Sequence, residues 1–134
     1  MSKGKVLIVD DEGVVRSSLT EWFATEGYYT RGVSNGREAL DIVDKHDFDV
    51  ALVDLKMPGM DGVELQRRLS DKDPELTVII MTGFGTVDTA VKALKQGAYD
   101  YLTKPVDPDE LSHTVEKAME HRRARQENVQ LKEC

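Results

Sequence analysis

A chain of 134 residues, 40% of them hydrophobic, has material for one domain, and at that size a core buries roughly two-thirds of the surface the unfolded chain exposes. Apolar residues recur through most of the sequence, which excludes intrinsic disorder, and the one cysteine, Cys134, excludes a disulfide-stapled scaffold. No apolar run nears the roughly 20 residues of a membrane span, and acidic residues close the short apolar stretch before Asp10 at once, unlike a secretory leader, so a soluble cytoplasmic domain is expected.

The net charge of −7 argues against a general nucleic-acid binder, and direct binding to nucleic acid or to a membrane is not expected. From 113 to 134 there are five Lys/Arg and four Asp/Glu; the preceding residues hold 13 and 21. The acidic excess therefore lies in the body, and the tail differs in kind.

Apolar runs alternate with amphipathic stretches five times. Val6-Leu7-Ile8-Val9 is the first strand, followed by Val15, Leu19, Trp22 and Phe23 at helical spacing and by Gly27 as a stop. Tyr28 to Val33 is a more polar second strand, and Asn35-Gly36 opens a helix with Ala39, Leu40 and Val43 on one face. Val50 to Val53 is the third strand; Pro58-Gly59 marks a loop, and Asp61 caps a short helix from Val63 to Leu69. Val78 to Met81 is the fourth strand. Gly83 and Gly85 bound the next loop, and Val87, Val91 and Leu94 line a helix that stops at Gly97. Tyr99 to Leu102 is the fifth strand, and Asp107 or Asp109 starts a last helix through Leu111, Val115 and Met119.

Five such units predict an α/β fold: a single five-stranded parallel sheet with five helices on both faces. The first, third and fourth strands are almost purely aliphatic and belong in the centre; the second and fifth carry polar groups and belong at the edges. Right-handed crossovers then favour the order 2-1-3-4-5. That order reverses between the first and third strands, and ligands bind outside the carboxyl ends of strands at such a switch point.

Polar residues fall where that frame needs them. Asp10 and Asp11 follow the first strand, Asp54 the third, Thr82 the fourth and Lys104 the fifth. Each has an ordinary structural reading: Asp10-Asp11-Glu12 as helix capping and dipole compensation, Thr82 as a cap, Lys104-Pro105 as a loop, Tyr101 as an edge-strand aromatic. The joint placement at equivalent strand ends favours function. Three carboxylates drawn together repel, and a hard divalent cation with oxygen ligands, Mg2+ above all when phosphate is present, relieves that repulsion. An ammonium and a hydroxyl beside them suit the loose, charge-spread transition state of phosphoryl transfer, with an aspartate as nucleophile.

These pieces resemble the receiver domain of bacterial two-component response regulators. The matching segments are Val9-Asp10-Asp11-Glu12, Asp54-Leu55-Lys56-Met57-Pro58-Gly59-Met60-Asp61-Gly62, Met81-Thr82-Gly83 and Gly97-Ala98-Tyr99-Asp100-Tyr101-Leu102-Thr103-Lys104-Pro105. They run in order over residues 5 to about 120, and the flavodoxin-like fold of that family has the strand order just derived. The resemblance implies that Asp54 accepts a phosphoryl group from the phosphohistidine of a sensor histidine kinase. It implies Asp11 as a direct Mg2+ ligand, Asp10 as holder of a metal-bound water, and Asp54 with the backbone carbonyl of Lys56 as the remaining protein ligands. Lys104 would pair with Asp54 and then with the phosphoryl group, from a cis Lys104-Pro105 peptide. Thr82 would move toward the phosphoryl group and Tyr101 would turn inward, changing the face made by the fourth helix, fifth strand and fifth helix. Lys56 and Phe84 stand at positions that vary within the family and tune acyl-phosphate lifetime.

Residues 1–120 are thus expected to form the receiver, and 121–134 a helical linker extending the last helix. A coiled-coil seam through Leu111, Val115 and Ala118 would place Arg122 and Arg125 in its core, and Val129 and Leu131 add too little for a heptad repeat. A self-dimer, through the fourth helix–fifth strand–fifth helix face or through the last helix, stays open beside a solvated linker. Gly83-Phe84-Gly85-Thr86-Val87-Asp88-Thr89-Ala90-Val91 and Glu127-Asn128-x-x-Leu131 resemble NtrC-type regulators, which implies output ATPase and DNA-binding domains in a longer protein. The competing reading is an aspartate-nucleophile phosphatase of the haloacid dehalogenase type. Those enzymes need an acid two residues after the nucleophile, where this chain has Lys56. A nucleotide-binding module lacks support, since no glycine-rich phosphate loop follows any strand.

Overall fold

The computed structural model describes residues 3–55, 57, 59–83 and 87–133, with residues 87, 89, 90 and 125–133 described in backbone only. Strands and helices alternate throughout: β1 (Lys5–Val9), α1 (Gly13–Thr25), β2 (Tyr29–Val33), α2 (Gly36–Lys45), β3 (Val50–Asp54), α3 (Gly62–Lys72), β4 (Thr77–Thr82), α4 (Val87–Lys95), β5 (Asp100–Thr103) and α5 (Pro108–Glu133). Every pairing is parallel and the order is β2-β1-β3-β4-β5. The aliphatic strands are central because a strand covered on both faces leaves no side for a polar residue.

Strand alternation divides the core in two. Leu7, Val9, Ala51, Val53, Val78 and Ile80 share one cluster with Ala39 of α2, Leu65 and Leu69 of α3 and Ala93 of α4. Val6, Ile8, Val50, Leu52, Ile79 and Met81 share the other with Phe23 of α1 and Leu111, Val115, Ala118 and Met119 of α5. One extended run of aliphatic residues thus feeds both layers, successive side chains leaving on opposite faces.

The helix starts follow the expected chemistry, with one choice settled. Asn35 and Asp61 each accept a hydrogen bond at 2.9 Å, from the backbone N–H of Glu38 and Glu64 respectively. Asp107 starts α5: its side chain accepts from the Asp109 N–H at 3.1 Å and its carbonyl from the Leu111 N–H at 2.9 Å. β5 begins one residue later than expected, at Asp100, although the Tyr99 N–H already donates to the Val78 carbonyl of β4 at 2.7 Å.

α5 is one continuous helix of 26 residues. His121 and Arg122, which the sequence places in the tail, both touch the body. The His121 ring lies 5.1 Å from that of Tyr99. Arg122 is 9% exposed; its Nε donates to Asp49 Oδ1 at 3.0 Å and its Nη1 to the Glu75 carbonyl. No described helix is long and apolar enough to cross a membrane.

Candidate functional site

Register brings the site together. Val9 pairs with Val53 across β1 and β3, so Asp10 and Asp54 stand level where the two strands end. Asp54 in turn pairs with Met81, which sets Thr82 one step further along β4. The Lys104 N–H donates to the Thr82 carbonyl at 2.7 Å and fixes the start of the loop after β5; the Lys104–Pro105 peptide is cis. β3 is closed from below by Gly62, whose missing side chain matters: a Cβ there would lie 2.7 Å from the Asp54 carbonyl oxygen and from Leu55 Cα.

Lys104 Nζ lies 2.9 Å from Asp10 Oδ2, 3.2 Å from Asp54 Oδ2 and 3.9 Å from Glu12 Oε1. Asp10 is fully buried and Asp54 is 5% exposed. Two buried carboxylates facing one ammonium is a costly arrangement unless all three are tightly engaged. Burial alone would pull the Lys104 ammonium below its usual pKa. The hydrogen bond to Asp10 and the charges of Asp54 and Asp10 outweigh it, and the net shift is upward.

Carboxylate oxygens of Asp10, Glu12 and Asp54 lie within 4.8 Å of one another. Asp11, the expected direct ligand, is exposed and lines an adjoining cleft of about 610 Å³ with Ser34, Asn35, Gly36, Arg37, Gly59 and Met60. Thr82 is buried and its hydroxyl donates to the Gly83 carbonyl at 3.2 Å. Tyr101 is half-buried against the α2–α3–α4 cluster. Lys56 and Phe84 lie outside the described residues.

The acids after β1 do not cap α1. Glu12 holds the cap position with no side-chain cap bond, while Asp10 Oδ1 accepts from the Glu12 N–H at 2.9 Å and Oδ2 goes to Lys104. Glu12 itself joins the acidic cluster, a role the sequence reading left out; its place two residues after the buried aspartate was the available signal. Arg16 is a second omission: its Nη1 donates to the Asp10 carbonyl at 2.8 Å.

Such a site can hold a hard cation against its carboxylates and present one of them, flanked by an ammonium and a hydroxyl, to an electrophile. Comparison with known proteins agrees on the family. The model for the response regulator receiver domain matches residues 6–116. The chain is 44% identical over 117 residues to sporulation initiation phosphotransferase F of Bacillus subtilis, covering 87% of this chain and 94% of that protein. It is 42% identical over 133 residues to the DNA-binding transcriptional regulator NtrC of Escherichia coli, covering 98% of this chain and 28% of that protein. Among solved structures, NtrX from Brucella abortus superposes with a TM-score of 0.92 at 31% identity, over 98% of this chain and 30% of that one. A receiver domain from Clostridium thermocellum gives 0.87 at 32% identity, over 90% of this chain and 98% of that one. The chain belongs to the response regulator receiver domain family, and NtrC and NtrX are among the proteins it is similar to.

Proposed function

We propose that Asp54 is the phosphoacceptor of a signalling switch that takes its phosphoryl group from a sensor kinase phosphohistidine. The observation that carries this reading is the Lys104 ammonium bridging Asp10 and Asp54 at the carboxyl edge of the sheet. An Asp54 carboxylate oxygen attacks phosphorus, the P–N bond breaks, and its electron pair leaves on the imidazole nitrogen, which takes a proton from solvent. Lys104 can follow the charge from the Asp54 carboxylate to the incoming phosphoryl oxygens. Thr82 exchanges its bond to the Gly83 carbonyl for a phosphoryl oxygen. The domain promotes only its own phosphorylation and hydrolysis and is no enzyme toward a separate substrate.

The donor set fits Mg2+. Bond lengths of about 2.1 Å put octahedral ligand oxygens about 3 to 4 Å apart, and the carboxylate oxygens of Asp10, Glu12 and Asp54 fall within 4.8 Å. Asp10 and Asp54 of that set, joined by the exposed Asp11 from the same loop as Asp10 and by the backbone carbonyl of Lys56, are the proposed holders, with Glu12 beside them. When bound, the ion neutralises charge on the transferring phosphoryl group.

Downstream, Thr82 and Tyr101 couple the site to the α4–β5–α5 face, the proposed surface for a partner or a second copy. Lys56 and Phe84 are proposed to set phosphate lifetime. Residues 1–120 are the proposed receiver and 121–134 a helical linker. The chain spans 28% of the Escherichia coli NtrC length, so transcriptional output through further ATPase and DNA-binding domains is likewise proposed. Incubation with acetyl phosphate and Mg2+ tests the core of this. Intact-mass analysis is expected to show one added phosphoryl group, removed by hydroxylamine and absent in Asp54→Asn. Unchanged labelling of Asp54→Asn would assign the acceptor elsewhere.

A further inference from the structure

Asp10 is held on all sides by different elements. Its N–H donates to the Val33 carbonyl of β2 at 3.1 Å. Oδ1 takes the Glu12 N–H at 2.9 Å and Oδ2 the Lys104 ammonium at 2.9 Å. Its carbonyl is left for α1, and Arg16 Nη1 reaches it at 2.8 Å. That carbonyl belongs to the peptide joining Asp10 to Asp11, so the guanidinium grips the plane from which both acids project. A charge-assisted bond to a carbonyl is stronger than a neutral one, and a guanidinium stays charged at every working pH.

Arg16 reaches this peptide over β2. Its first backbone bond, N–H to the Glu12 carbonyl at 2.9 Å, sets it one turn into α1. Its stem then crosses Gly32, which pairs with Ile8 beside the site. A Cβ on Gly32 would lie 2.8 Å from Arg16 Cγ, 3.2 Å from Cδ and 3.1 Å from Thr20 Cγ2. The glycine leaves the lane in which the arginine lies.

We propose that Arg16 is a positioning residue for the metal and phosphoryl site, and that Gly32 keeps its path clear. The residue touches neither phosphorus nor the cation; it locks the Asp10–Asp11 peptide, the base from which both carboxylates approach the ion. This inference rests on the Asp54 reading above. Groups that orient ligands from behind are worth about 10- to 100-fold in metal affinity.

The test titrates Mg2+ alone into the isotope-labelled protein and follows the Asp10 and Asp11 amide shifts, with urea unfolding in Mg2+-free buffer alongside. Arg16→Met keeps the stem over Gly32 and removes the donor; Mg2+ binding is expected to weaken about tenfold. Gly32→Ala leaves the guanidinium in the chain but displaces its stem, and is expected to weaken binding in the same direction. In an Arg16→Ala background the added methyl no longer meets Arg16 Cγ and Cδ and keeps only the 3.1 Å approach to Thr20 Cγ2, so Gly32→Ala should weaken Mg2+ binding little further, a non-additivity read in affinity and not only in unfolding. Wild-type Mg2+ affinity in Arg16→Met, or full additivity of the two changes, overturns the assignment. If Arg16→Met does not fold, the Gly32→Ala arm and its cycle decide. Wild-type protein labelled on Asp54 while Arg16→Met binds Mg2+ normally sinks only Arg16; wild-type protein that takes no phosphoryl group on Asp54 sinks the reading beneath it.

Discussion

Lys104 shows how one side chain can carry a site's electrostatics. It is 20% exposed, and the carboxylates it separates are buried. Lys104→Met would leave Asp10 and Asp54 facing each other with no cation between them. Breaking a buried pair costs about 3–5 kcal/mol; the partial exposure of Lys104 places this case at about 3. Urea unfolding in Mg2+-free buffer should show that loss. Adding Mg2+ should restore more stability to the variant than to the wild type, because the ion replaces the missing charge. An equal response in both would separate Lys104 from the cation site.

A second residue-scale prediction concerns Tyr28, which is 7% exposed and packs edge-on to Phe23 at 5.7 Å. Burial raises its phenol above the usual 10, the charges of Glu116 and Glu26 push the same way, and Arg123 opposes them. Lys104 is also raised. A raised folded-state pKa means the native state binds the proton more tightly. The associated stability is complete below the unfolded value of about 10 and is lost as pH rises through the folded one. Stability should therefore fall above about pH 10. Ultraviolet titration should show a tyrosine ionisation step above the usual phenol value, and Tyr28→Phe should remove that step and flatten part of the decline.

At the scale of elements, α5 is the instructive case. Its first half is anchored by Leu111, Val115, Ala118 and Met119, an apolar stripe facing the sheet. Arg122 continues the anchorage by other means. It binds Asp49, whose second oxygen takes the Lys5 N–H at 2.8 Å, and the Glu75 carbonyl, so one guanidinium gathers the loops before β3 and β4 and the start of β1. Hydrogen bonds to charged groups contribute about 1.5–3 kcal/mol. Arg122→Ala is expected to lose that much and to speed amide exchange in the last turns of α5. Arg123→Ala, at an exposed neighbouring position, should stay within about 0.5 kcal/mol. Equal effects would show that Arg122 has no special hold on the helix.

For the whole molecule, the relevant question is where a charge added at Asp54 can be felt. The Lys104 N–H is tied to the Thr82 carbonyl, and Tyr101 leans on the cluster shared by α2, α3 and α4. A disturbance at the site therefore has a short path into β4, β5 and α4. If Asp54 is the acceptor, beryllofluoride with Mg2+ should change hydrogen exchange in α4 and β5 while leaving α1, β1 and β3 protected. Sedimentation on the same samples reports whether that change also drives self-association. Exchange unaltered in α4 and β5 would place the output surface elsewhere.

Much of this molecule is written in local pattern. Aliphatic runs with alternating faces specify β1, β3 and β4, and the polar character of Tyr29 to Val33 and of Asp100 to Thr103 sends those strands to the edges. Asn35 and Asp61 mark helix starts because a cap bond spans only three residues. The five polar positions behind the strands are legible for the same reason: each follows its strand directly. What the tertiary structure alone decided is which of the neighbouring acids turns inward. Asp10 is buried against a lysine 94 positions away, Asp11 faces the open cleft, and Glu12 joins the cluster without capping α1. Arg16 and Arg122 look like ordinary helix-surface charges until strands and loops distant in sequence are brought beneath them. Periodicity records which face of an element is apolar; the partner a charge finds there depends on distances that exist only after the sheet has closed.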